Sequence, residues 1–86
     1  MNVIKVYGSG CANCLKLTAL STETVNEMGV DFLIEKVEDL QAIVGRGIMQ
    51  TPALEINGKI VSAGKIPTKS TLQHWIKESL EIQNVG

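Results

Sequence analysis

Apolar and β-branched residues dominate VIKVY, residues 3–7, before Gly8 ends the run, and this predicts a short strand. From Ala12 the period lengthens. Cys14, Leu17, Ser21, Val25 and Met28 recur on one helical stripe, while Lys16, Glu23 and Glu27 fall off it. A helix is therefore predicted from Ala12 to about Met28, with Gly29 suited to the left-handed C-cap. Residues 31–37 (DFLIEKV) predict a second strand, and residues 38–44 a short helix closed by Gly45-Arg46-Gly47.

Two further apolar runs, ALEI and KIVS, flank Asn57-Gly58. A two-residue Asn-Gly loop between such runs is a strong hairpin signal, because both turn positions need positive φ. Thr68 or Ser70 can cap a last helix that runs to about Ile82 and carries Leu72, Ile76 and Leu80 on one face. The order is β-α-β-α-β-β-α, an α/β class. Its opening strand–helix–strand unit implies a right-handed crossover and a parallel strand pair.

The 86 residues leave room for one domain over residues 1–86. Aromatics are only 3% of the chain against 44% apolar residues overall, so aliphatic side chains must fill the core. Eight basic residues are interspersed with nine acidic ones, for a net charge of −1. That gives no field for phosphates, and no nucleic-acid partner is expected. No apolar stretch nears the ~20 residues a bilayer span needs, so no membrane role is expected. The start MNVIKVYG lacks the pattern of a secretory leader, which sets the expectation of a cytoplasmic protein.

In that compartment thiols are kept reduced, and a short-loop staple would add little stability. Yet the two cysteines of the chain lie together in GSGCANC, residues 8–14. Cys11 falls where a strand has ended and a helix begins. Unpartnered amide N–H groups and the positive end of the helix dipole favour a thiolate there. Gly8 and Gly10 are expected to keep the turn open and the sulfur reachable. Cys14 lies one helical turn on, within disulfide reach. Such a pair suits dithiol–disulfide exchange: Cys11 attacks a disulfide, and Cys14 resolves the mixed disulfide. The residues alone also leave soft-metal binding and a purely structural role open.

The strand, the GSGCANC turn, the helix, and Thr51-Pro52 opening a hairpin resemble the thioredoxin-like superfamily. The likeness is to its small redox-active disulfide proteins and extends from Val3 to about Ile82. It implies a minimal thioredoxin fold, a four-stranded mixed sheet in order 2-1-3-4 with helices on both faces. It implies Cys11 as nucleophile, Cys14 as resolving thiol, and Pro52 as a cis-proline facing them. The backbone of Thr51 would pair with an extended substrate segment.

By the same resemblance the substrate is a protein disulfide, the electron donor is a thioredoxin-reductase-like flavoenzyme, and no cofactor is bound. A monomer is expected. The departures are Ala12-Asn13 between the cysteines, Gly10 in place of a tryptophan, and Lys5 where thioredoxins bury a carboxylate. After the hairpin, Ala63-Gly64-Lys65 lacks the acidic residue with which glutaredoxins hold glutathione, which favours a protein partner.

The first half of the chain also resembles heavy-metal-associated domains, whose paired thiolates suit Cu(I) or zinc. Those domains carry methionine where Ser9 stands and end on a strand, so the second half favours the thioredoxin likeness. His74 is expected to be a solvated helix residue, and Trp75 to close one end of the core. Met28 and Met49 are expected to fill gaps, with Met49 a candidate for the surface beside the cysteines. Lys65 and Lys69 are expected on a solvated rim, and Tyr7 either packs or borders the site.

Overall fold

The computed structural model describes residues 2–8 and 12–85, with side chains described as far as residue 80. Its elements are β1 (Asn2–Tyr7), α1 (Ala12–Met28), β2 (Phe32–Val37), α2 (Leu40–Gly45), β3 (Ala53–Ile56), β4 (Lys59–Ala63) and α3 (Lys69–Val85). The expected order holds throughout. The four strands form one sheet in the order β2-β1-β3-β4. β1 pairs parallel with β2 and antiparallel with β3, and β3 pairs antiparallel with β4.

Local chemistry explains most boundaries. At the end of α1 the Gly29 N–H donates to the Asn26 carbonyl (3.2 Å) and the Val30 N–H to the Val25 carbonyl (3.3 Å). With Gly29 at φ 68° this is a Schellman cap, and Val25 and Val30 supply its apolar contact. Asn57 (φ 49°) and Gly58 (φ 89°) give the hairpin its two left-handed positions. The Asn57 side chain also accepts from the Val3 N–H (2.8 Å) and donates to Ser79 Oγ (2.6 Å), tying the turn to β1 and α3.

Thr68 caps α3: its Oγ1 accepts from the Thr71 N–H at 3.2 Å. The short helix α2 begins at Leu40 rather than residue 38. The Asp39 carboxylate accepts from the Gln41 N–H (3.4 Å) and so caps the helix, which leaves Glu38 outside it. The last helix runs three residues past the expected Ile82.

Each strand alternates its side chains between two faces. One face carries Ile4 and Val6 of β1, Phe32 of β2, and Leu54 and Ile56 of β3. It is covered by Leu17 and Val25 of α1 and by Leu72 and Ile76 of α3. The other face carries Tyr7, Val37, Ala53 and Ile60, covered by Ile43 of α2 and by Ile48. Helices thus lie on both faces, and the aliphatic core is the one that the scarcity of aromatics requires. Lys69 bridges the two helices of the larger layer, its Nζ lying 2.8 Å from Glu23 and 2.6 Å from Glu27. No helix among the described residues is long and apolar enough to cross a membrane.

Leu54 has no exposed surface and sits where β3 meets both large helices. Leu54→Ala should cost about 2–5 kcal/mol of unfolding free energy through lost burial and the cavity left behind. Denaturant titration of the two proteins measures it.

Candidate active site

The loop carrying Cys11 lies at residues 9–11, outside the described residues, so only its surroundings are on view. β1 ends at Tyr7, and the Gly8 N–H continues the parallel ladder by donating to the Val37 carbonyl at 3.0 Å. Cys14 occupies the first turn of α1 and is buried, with 4% of its surface exposed. Its sulfur lies against Gly8, so closely that a Cβ at Gly8 would overlap Sγ. The same Cβ would stand 3.8 Å from the Thr51 Cβ. Gly8 does not hold positive φ, and its missing side chain leaves room for the Cys14 sulfur.

Three segments therefore meet at this end of the sheet: the end of β1, the first turn of α1, and residues 51–52. The Thr51–Pro52 peptide bond is cis. Thr51 is exposed and Pro52 buried. The Pro52 carbonyl accepts from the Gly64 N–H at 2.9 Å, which fixes the entry to β3 against the end of β4. Gly64 holds φ 81°, and the Gln50 side chain lies over it. Met49, just before this segment, is 94% exposed, so it fills no gap and forms part of the surface. Leu15, next to Cys14, is exposed as well. A small cavity of about 70 Å³ opens beside Cys14 and is lined by Val6, Gly8, Leu15, Thr18, Lys36 and Glu38.

One cluster escaped the sequence patterns. Glu55 of β3 is only 5% exposed, and three donors converge on its Oε1. Tyr7 Oη donates from 2.8 Å, Arg46 Nε from 3.0 Å, and Arg46 Nη2 donates as well. Arg46 also donates to the Gly58 carbonyl at 3.2 Å. Arg46 is the C-cap of α2, so the cluster fastens the end of α2 to β1, β3 and the hairpin. It thereby anchors both ends of the 47–52 segment that carries Thr51-Pro52. An acid inside the apolar run ALEI was the available signal, since a buried carboxylate demands a cation.

Tyr7 packs on the α2 face, with Ile43, Ile48 and Ala53. Burial first, and donation to Glu55 second, raise its phenol above the ordinary 10.0, outweighing the lowering by Arg46. Lys5 lies in register with Glu35 of β2 and Glu55 of β3. Lys69 stands at the surface and is held there in two exposed ion pairs. His74 is exposed as expected and pairs with Glu78 at 2.9 Å, an acid at helical spacing that the solvated expectation left out. Trp75 packs against the core as expected. It also lines a cavity of about 440 Å³ at the opposite, hairpin end of the sheet.

The sequence model of the thioredoxin domain matches residues 2–77. The chain belongs to the thioredoxin family. A thioredoxin of Methanothermobacter thermautotrophicus is 33% identical over 73 residues, covering 85% of this chain and 95% of its own. A thioredoxin of Methanocaldococcus jannaschii is 33% identical over 81 residues, covering 94% of this chain and 93% of its own.

Among solved structures, chloroplastic thioredoxin z superposes with a TM-score of 0.73 at 14% identity, over 94% of this chain and 80% of that one. The oxidised thioredoxin of Plasmodium falciparum does so at 0.62 with 19% identity, over 90% and 79%. These two likenesses show the fold.

Gly8→Ala should lower stability by about 1–3 kcal/mol, the usual cost of overpacking, because the added Cβ would overlap the buried Cys14 sulfur. Denaturant midpoints test this, and an unchanged midpoint would contradict the packing described.

The Tyr7 phenol gives a pH prediction. Its raised value means that the folded state keeps a proton the unfolded chain releases near pH 10.0. The associated stability is complete below that pH and is lost as pH rises through the folded value. Tyr7 is the only tyrosine, so phenolate absorbance reads it alone. It should titrate above 10.0 in the native protein and fall back to that value on unfolding.

Proposed function

We propose that this protein is a thiol–disulfide oxidoreductase that reduces protein disulfides through Cys11 and Cys14. The observation that carries the reading is the packing of Cys14 against Gly8 with Thr51 alongside, in a chain of the thioredoxin family. In this proposal Cys11, one residue before α1, attacks first. The free amides and dipole of the helix start hold its sulfur as thiolate. It bonds to one sulfur of the substrate disulfide, and the other leaves as a thiolate. Cys14 then attacks Cys11, the substrate's second thiolate departs, and the Cys11–Cys14 bond forms. Two electrons have passed to the substrate.

Burial supports that order, since a thiol with 4% exposure is poorly placed to meet a protein disulfide first. Exposed Thr51 offers its main chain to an extended substrate segment, and Pro52 fixes that segment beside the cysteines. Exposed Met49 and Leu15 supply apolar contact for the substrate. A thioredoxin-reductase-like flavoenzyme returns the electrons, and the protein acts as a cytoplasmic monomer.

Cys11→Ser should abolish insulin reduction, whereas Cys14→Ser should accumulate a mixed disulfide visible by mass spectrometry. Retained insulin reduction in Cys11→Ser would overturn the proposal. Tight Cu(I) binding with no turnover in the unaltered protein would replace it with metal carriage.

A further inference from the structure

We infer that the cavity between α3 and the β3–β4 hairpin binds a small amphipathic carboxylate, its apolar chain against Trp75 and its anionic head at Lys59. This goes beyond the proposed dithiol reaction and does not depend on it, because the cavity lies at the hairpin end of the sheet.

The cavity follows from the seating of α3. That helix packs on α1 and on β3, an inner strand, through Leu72 and Ile76. β4 is the outer strand. Its pairing with β3 shifts between Leu54 and Glu55, which are opposed by Ser62 and Ile60, so Val61 is the extra residue of a bulge. Such a bulge bends an edge strand out of the regular ladder. On α3, Ser79 follows Trp75 by one turn, and its short side chain is held at the hairpin, where Asn57 Nδ2 donates to its Oγ at 2.6 Å. The space left is about 440 Å³, inside the ~300–1,000 Å³ range of small-molecule sites. Arg46 fixes the hairpin independently by donating to the Gly58 carbonyl at 3.2 Å, so the cavity is preformed.

Its walls select a class of ligand. Ile56, Ile60, Val61 and Trp75 supply apolar surface, and exposed Lys59 and Glu78 put the charges at the mouth. The Asn57 amide is engaged at both ends, accepting from Val3 and donating to Asn2 and Ser79. Glu78 lies 2.9 Å from His74. The Lys59 ammonium and the Trp75 indole N–H have no partner among the described residues. Both are donors and one is positive, so the complementary ligand carries acceptor oxygens and a negative charge on an apolar body. A cationic amphiphile would meet Lys59 and find the carboxylate already shared with His74.

Octanoate tests this by fluorescence, because Trp75 is the only tryptophan. Its emission should shift to the blue and saturate as the chain excludes water from the indole. Hexanoate, shorter by two methylenes, should bind about tenfold more weakly, the loss of two buried CH₂ groups. Amide resonances should move at residues 56–61 and 75–79 and stay in place at residues 49–52.

Lys59→Met keeps the apolar stem and removes the charge. It should weaken octanoate about threefold to fivefold, the scale of one exposed ion pair, and should not weaken octylamine. Lys59→Glu should turn the preference to octylamine. Three results each overturn the inference: no saturable shift, octylamine bound as tightly as octanoate, or octanoate affinity unchanged in Lys59→Met. Resonance shifts centred on residues 49–52 also overturn it, since they place the ligand on the exposed surface around Met49. Insulin reduction without ligand reads the dithiol separately, so a protein that reduces insulin but ignores octanoate refutes this inference alone.

Discussion

The close approach of the Cys14 sulfur to the backbone of Gly8 is the constraint on which the rest of the site depends. β1 is an inner strand, paired on one edge with β2 and on the other with β3, so its end is held by two ladders. The stripe of α1, from Cys14 through Leu17 and Val25, must settle on Ile4 and Val6 of that strand. Such a helix can lie flat only if its first turn clears the end of β1. A side chain at residue 8 would meet the Cys14 sulfur, which would have to give way. The glycine thus links strand position, helix seating and the depth of the sulfur in one contact.

A second constraint holds the other wall. The 47–52 segment is short and carries no regular structure, yet Thr51 must stand against Gly8. Arg46 at the end of α2 and Glu55 in β3 bracket the segment and are bound to each other. A carboxylate this buried is stabilising only while its donors stay in place. The ion pair therefore acts as a clasp on the loop rather than as a general source of stability. Lys5, in register between Glu35 and Glu55, adds a cation to the same polar stretch of the sheet.

Local devices were legible in the sequence because local chemistry produces them. Gly29, Asn57-Gly58 and Thr68 each do what their residue types dictate within three or four positions. The strand order and the Thr51-Pro52 cis bond were reached through the family resemblance, since each depends on partners remote in the chain. The Tyr7–Glu55–Arg46 cluster was not reached at all. Its members are 9 and 48 residues apart from Glu55, and β3 is buried along its whole length, so no alternation marks Glu55 as facing a polar partner. Gly8 was read only as keeping the turn open, because sequence shows that a side chain is missing but not what fills its place.

The burial of Cys14 follows from the same geometry. A sulfur seated against the end of an inner strand is shielded by the sheet below and by the Thr51 segment beside it. That shielding suits a group whose target, in the proposed reaction, is always Cys11 and never the solvent. It also creates a difficulty, because whatever hides a sulfur from competing thiols also hides its proton from bulk water. In this fold a small cavity opens beside that thiol. It lies where the row of residues facing α1 runs off the apolar part of β2, so that Lys36 and Glu38 line it together with Val6, Gly8, Leu15 and Thr18.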